Sequence, residues 1–138
     1  MAPQQLATIA SYHAHIYFDT NTRADALKIR DWIAARFRVQ LGRVHDRPIG
    51  PHTSSMYQVA FETGEFPRLV PWLMLNRVDL SVLVHPNTGH ERADHLRNAL
   101  WLGTPLRIAS EALSNSPIPK QDITPIAADT TPDPDLEV

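Results

Sequence analysis

The sequence predicts an α+β fold of the ferredoxin-like split βαβ class, a four-stranded antiparallel sheet with helices on one face. The order of local signals, β-α-β-β-α-β followed by one more helix, is the first reason. The second is the strict alternation of apolar and polar residues in the strand segments. The third is size. A chain of 138 residues, 43% hydrophobic and without cysteine, can build one core without disulfide or structural-metal support. The sheet's second face then needs cover. A second subunit closing a dimeric α/β barrel is the expected solution.

Tyr12–Phe18 is rich in aromatic and branched residues and reads as the first strand. Thr22 with Asp25 approximates a capping box, and Ala26, Ile29, Ile33 and Phe37 recur at helical spacing behind it. Val39–His45 is the second strand candidate, and Asp46–His52 a turn-rich link. Met56–Glu62 reads as the third strand. A helix from Phe66 to about Asn76 follows, with Pro71 predicting a break or bend. Leu80–Val84 is the fourth strand, stopped by Pro86. Thr88 and Glu91 form a capping box for a last helix with Ala93, Leu96 and Leu100 on one stripe, ended by Gly103 and Pro105. Trp32, Trp72 and Trp101 fall on three helices, as core residues.

Residues 1–113 form the predicted single catalytic domain. Residues 114–138 are rich in proline and acid and lack apolar periodicity, the pattern of an extended arm or disordered tail. The acid is concentrated there: the whole chain has a net charge of −2, while the body is mildly basic. That balance gives no footprint for nucleic acid or an anionic membrane. No apolar run approaches the ~20 residues of a bilayer span, and no leader pattern opens the chain. With cysteine absent, the expected location is the cytoplasm, and thiol nucleophiles, zinc ribbons and iron–sulfur clusters are excluded.

Seven histidines remain to be explained. Alternation sends Ile16 and Phe18 to one face of the first strand, and His13, His15 and Tyr17 to the other. On the fourth strand it separates Leu80, Val82 and Val84 from Ser81, Leu83 and His85. On the third it separates Tyr57, Val59 and Phe61 from Met56 and Gln58. With strands one and three taken as parallel, the start of strand one, the end of strand two and the end of strand four share one sheet edge. His13, His15, His52 and His85 meet there. Imidazole is the commonest metal ligand, and without thiolates a borderline metal such as Fe(II), Zn, Ni or Cu fits best. Spacing does not choose the ligands among the four. His45 and His90 read as ordinary structural or solvated residues, and His95 stands between the two readings.

Other signals are weaker. Arg43, Arg47 and Arg92 have the chemistry to clamp a carboxylate, though surface arginines are common. Arg47, with Tyr17 and Gln58 of the open face, is the candidate for substrate binding. Ser54 and Ser55 lack a nucleophile elbow, which argues against a serine hydrolase.

Tyr12-His13-Ala14-His15-Ile16-Tyr17-Phe18, Gly50-Pro51-His52, Leu80–Pro86, Thr88-Gly89, Asp94-His95 and Trp101-Leu102-Gly103, in that order, resemble the DOPA 4,5-dioxygenase family. The resemblance runs from about Tyr12 to Gly103. It implies an extradiol ring-cleaving dioxygenase that uses non-haem Fe(II) and O₂ on a catechol. For L-DOPA the product is a seco-DOPA on the route to betalamic acid or muscaflavin. It also implies His15, His52 and His85 as metal ligands, and His13 or His95 as the acid/base. The competing readings are a non-catalytic small-molecule binding module and another metal enzyme on the same histidines, a hydrolase or isomerase.

Overall fold

A computed structural model describes all of residues 1–138. Its strands are β1 (Ser11–Phe18), β2 (Gln40–Leu41), β3 (Ser55–Phe61), β4 (Val82–Asn87) and β5 (Leu100–Leu102). Its helices are α1 (Arg23–Arg36), α2 (Phe66–Asn76) and α3 (Glu91–His95). The sheet has five strands rather than four, in the order β2-β3-β1-β4-β5, with every neighbouring pair antiparallel. None of the helices is long and apolar enough to cross a membrane.

The predicted alternation sets the layers. Ile16, Phe18, Tyr57, Val59, Phe61, Val82 and Val84 are buried on one face with Ile29 and Ile33 of α1 and Leu69 and Leu73 of α2. Tyr57 also donates its phenol proton to the Ala26 carbonyl at 2.7 Å, tying α1 to the sheet. The α1 start is held differently from the expected box. Asp19 Oδ1 accepts the backbone N–H of Asn21 and Thr22, and the Thr22 side chain makes no helix cap. Helix α2 runs through Pro71, losing one intrahelical donor but not its continuity.

Three further expectations are corrected. β1 pairs antiparallel with β3, so β1 runs parallel to β2, and strand two does not end beside the start of strand one. β4 does not stop before Pro86. Tyr17 N–H bonds Ser81 O, so alternation turns the backbone of even-numbered β4 residues toward β5, and β5 ends opposite Val84. The missing proline donor therefore falls where no strand pairs. The last helix is a single short turn ending at His95. Leu96 leaves helical geometry at φ −115°, ψ −91°, and Leu100–Leu102 is a strand on the β4 edge. Trp101 thus lies in the sheet, stacked on Tyr17 at 5.8 Å, while Trp32 is over a third exposed.

The chain covers much of its own second sheet face. Tyr17, Met56 and Leu83 are buried there beneath Ala99, Trp101, Leu106 and Ile108. Residues 114–138 lie back along the body. Ile118 N–H bonds Gly89 O, Asp129 N–H bonds Val39 O, and the Thr130 hydroxyl bonds Phe37 O. Asp129 Oδ1 and Thr130 Oγ1 take the N–H groups of Leu41 and Val39, which satisfies the outer edge beside β2.

Gly89 shows how closely the arm is held. Its φ is +86°, and a Cβ added there would sit 2.1 Å from the Ile118 carbonyl oxygen. Gly89→Ala therefore combines left-handed strain with a backbone clash. The expected result is release of the arm, read as faster proteolysis between residues 114 and 125. Unchanged proteolysis would show that the clasp is not formed in solution.

Candidate metal centre

β1 and β4 lie side by side with His13 directly opposite His85, so the two rings leave the sheet on the same face. His15 follows two residues along, opposite Leu83 and Gln58. His52 reaches this place by a route the strand order did not suggest. After β2 the chain continues to the level of Tyr17, where His45 bridges Met56. The link then doubles back over the open face, pinned by Ala109 N–H to Pro51 O and by a His52–Ile108 bridge. His95 arrives from the end of α3.

His13, His15, His52, His85 and His95 thus form one cluster, and with His45 six imidazoles line one cavity of about 360 Å³. His15, His52, His85 and His95 are buried and His13 is partly so. Ring centroids are 4.1 Å apart for His15–His52, 4.0 Å for His85–His95 and 5.1 Å for His13–His85. Two trios each have donor atoms mutually within 4.8 Å: His13–His15–His85 and His15–His52–His95. His15 belongs to both. The trio implied by resemblance, His15–His52–His85, is divided between them.

Neighbouring carbonyls fix several tautomers. A carbonyl only accepts, so His85 Nδ1–H donates to Pro86 O at 2.9 Å and His95 Nδ1–H to Glu91 O at 2.8 Å. Both rings then keep an Nε2 lone pair. His52 Nδ1 is 2.6 Å from the Tyr17 hydroxyl, whose pKa burial pushes well up, keeping the phenol protonated. His15 Nε2 lies 3.2 Å from His85 Nε2, and His15 Nδ1 is buried with no partner. Either proton assignment leaves one His15 nitrogen unsatisfied, a costly state in a buried group. A cation shared among the lone pairs removes that cost. The donor set, imidazoles of which His52, His85 and His95 already have one nitrogen engaged, therefore fits a borderline divalent metal.

Burial, reinforced by the neighbouring rings, lowers the pKa of His13 and His52 to about 4 and holds those of His15 and His85 well below the usual imidazole value. The rings are thus neutral at pH 7, ready to ligate without losing a proton. In the metal-stripped protein the stability they contribute is complete above pH 6.5. It is lost as pH falls through 6.5 toward 4, where the unfolded chain binds protons that the folded chain refuses. The urea midpoint of metal-stripped protein is expected to be clearly lower at pH 5 than at pH 7.5. Equal midpoints would show that the rings are not buried together.

The remaining candidates separate cleanly. Gln58 lines the cavity, and Tyr17 lies beneath it, acting on His52. Arg47 is exposed on the link and does not line the cavity. His45 lines the cavity wall, whereas His90 is exposed outside it. Sequence reasoning missed Glu91, the one carboxylate on the wall, and Asn87. It also missed the work of Asp94, which is buried and accepts hydrogen bonds from Thr88 N–H, the Thr88 hydroxyl and the Asn98 amide. Those bonds shape the turn that delivers His95. The Thr88…Asp94 spacing was the available signal, and it was read as part of a longer helix.

Comparison with known proteins agrees with this geometry. The model of the Dopa 4,5-dioxygenase family matches residues 12–112. The chain belongs to that family. A DOPA 4,5-dioxygenase from Amanita muscaria is 38% identical over 125 residues, covering 82% of this chain and 54% of its own. An uncharacterized 21.2 kDa protein from Botryotinia fuckeliana is 35% identical over 108 residues, covering 70% of this chain and 59% of its own. The chain therefore spans somewhat over half the length of these curated relatives. A crystal structure of a candidate dioxygenase from Nostoc punctiforme superposes with a TM-score of 0.78 at 50% identity, covering 79% of this chain and 95% of that one. Together these findings give the chain its family, and the geometry gives it a histidine cluster able to hold a metal.

Proposed function

We propose that the chain is an extradiol ring-cleaving dioxygenase that holds non-haem Fe(II) in its histidine cavity and opens a catechol, with L-DOPA as the first substrate to test. The observation that carries this reading is the set of six imidazoles around one cavity in a member of this family. His15, His52 and His95 hold the metal. All three are buried, and the two from loop and helix have their outer nitrogen hydrogen-bonded. His95 rather than His85 is the third ligand because the trio that contains His52 takes His95, and it is the trio whose three members are all buried. Bound Fe(II) would supply the electron transfer and Lewis acidity that O₂ and catechol lack alone.

The protein's own groups do the rest. The cavity lies within the ~300–1,000 Å³ range of small-molecule sites. Gln58 offers a donor and an acceptor on the floor beside His15. His13, neutral at pH 7 and hydrogen-bonded to no other side chain, has a ring nitrogen able to take a catechol hydroxyl proton and return it. His85, against His15, steadies that ring. The reducing cytoplasm is the compartment in which ferrous iron would be retained.

Oxygen uptake with L-DOPA, with and without Fe(II), tests metal, reaction class and substrate together. Iron-dependent uptake with a yellow product is expected, and chelation should stop it. No uptake with any catechol would overturn the proposal in favour of a binding module. Turnover with Zn(II) and no uptake would indicate a hydrolase or isomerase.

A further inference from the structure

α3 has a second side. Glu91 and His95, one turn apart, face the histidine cavity, while Arg92, Ala93 and Leu96 line a separate cavity of about 370 Å³ with Arg97 and His90. Ser114 and Asn115, at the start of the arm, close its wall. No acidic residue lines this space. Arg92 and Arg97 make no hydrogen bond or ion pair with any protein group, although Arg23, Arg68 and Arg107 are all paired with acids. The two acids nearest in sequence are turned elsewhere. Asp94 is buried and saturated by Thr88 and Asn98, and Glu91 lies on the wall of the histidine cavity.

The neutral groups at the rim are also donors. Ser114 Oγ already accepts the Ser116 N–H, so its own proton is free to be given. Asn115 has a side-chain amide with no partner. Two permanent cations, an imidazole, a hydroxyl and an amide therefore converge on one concavity, with nothing inside the protein to receive them. Guanidinium forks of this kind match the paired oxygens of phosphate and carboxylate groups. A dianion fits better than a monovalent one, because two guanidinium charges need balancing at one place.

We propose that this cavity is a binding site for a small doubly charged oxyanion, a phosphate group or a dicarboxylate, held by Arg92 and Arg97 and capped by Ser114 and Asn115. The site is independent of the metal reading. Occupancy would tie the first residues of the arm to the helix that delivers His95.

The test is titration of the full-length protein with inorganic phosphate at low ionic strength, followed by amide chemical shifts and calorimetry. Succinate and monovalent chloride, matched in ionic strength, form parallel arms. Saturable shifts at Arg92, Ala93, Arg97, Ser114 and Asn115 are expected with phosphate or succinate but not with chloride. Whichever dianion binds more tightly identifies the source chemistry. Arg92→Gln with Arg97→Gln should weaken binding at least tenfold while the far-ultraviolet spectrum and oxygen uptake stay unchanged. Shifts that never saturate, shifts spread over unrelated surface, or equal binding by the double variant would each overturn the proposal. Should the double variant fail to fold, Asn115→Asp supplies the same decision, since a carboxylate in the cavity must weaken dianion binding severalfold.

Discussion

His15→Ala is expected to abolish metal retention and oxygen uptake together, with activity falling at least about 100-fold. His15 is the one residue common to both donor trios, so no rearrangement of the other four rings replaces it. Its removal should leave the fold intact. The side chain points into the cavity rather than into the apolar layer, and the one group it leaves, His85 Nε2, also faces that cavity. Metal content measured by elemental analysis, beside oxygen uptake, checks this. The companion variants separate the trios: His95→Ala should lose metal, whereas His13→Ala should keep most of it and lose turnover. Full metal content in His15→Ala would refute the assignment of the centre.

Asp94→Ala should cost about 2–4 kcal/mol of stability, because two donors of Thr88 and one of Asn98 lose a buried charged acceptor. The damage should spread to the metal. Asp94 holds the turn that places His95, so affinity is expected to fall about 10- to 100-fold, as for other groups that orient a ligand. Urea denaturation and metal titration of one sample measure both effects. Asp94→Asn is the informative control. It keeps one acceptor and the volume but must turn a donor toward other donors, so its stability should fall between wild type and alanine. Wild-type metal affinity in both variants would show that His95 is placed by something else.

The central strands and both long helices were legible because their burial is one-sided. Period-two alternation in β1, β3 and β4, and the Ala26–Ile29–Ile33 stripe of α1, are direct imprints of a face turned to the core. The region after Pro86 was not legible, for a physical reason. Ala93, Leu96 and Leu100 have helical spacing, but the spacing is accidental: the Asp94 carboxylate gathers Thr88 and Asn98, and Leu100 pairs with Val84 instead. Side-chain-to-backbone capture of this sort leaves no periodic trace. β2 was read as seven residues and is two, with the outward N–H groups of Val39 and Leu41 bonded to an arm about 90 residues away.

The histidine site was found for a partly mistaken reason. His13, His15 and His85 share a face as alternation required. His52 was placed with them by a strand direction that the pairing reverses, and the doubled-back link brings it there anyway. The resemblance of Gly50-Pro51-His52 to the family carried information that strand geometry lacked. His95 stood between the two readings, and the structure buries it with its neighbour Asp94.

The facing of His13 and His85 across β1 and β4 has a consequence for how the molecule is built. Side chains on a strand alternate, so sliding β4 by a single residue would replace His85 on this face with Val84 or Pro86. A chain that zipped with that error would still bury apolar residues, yet the proposed ligand His15 would lose the ring that steadies it. Under the proposed metal reading, ion binding would favour one alignment of segments 70 residues apart, because His85 packs against the proposed ligand His15.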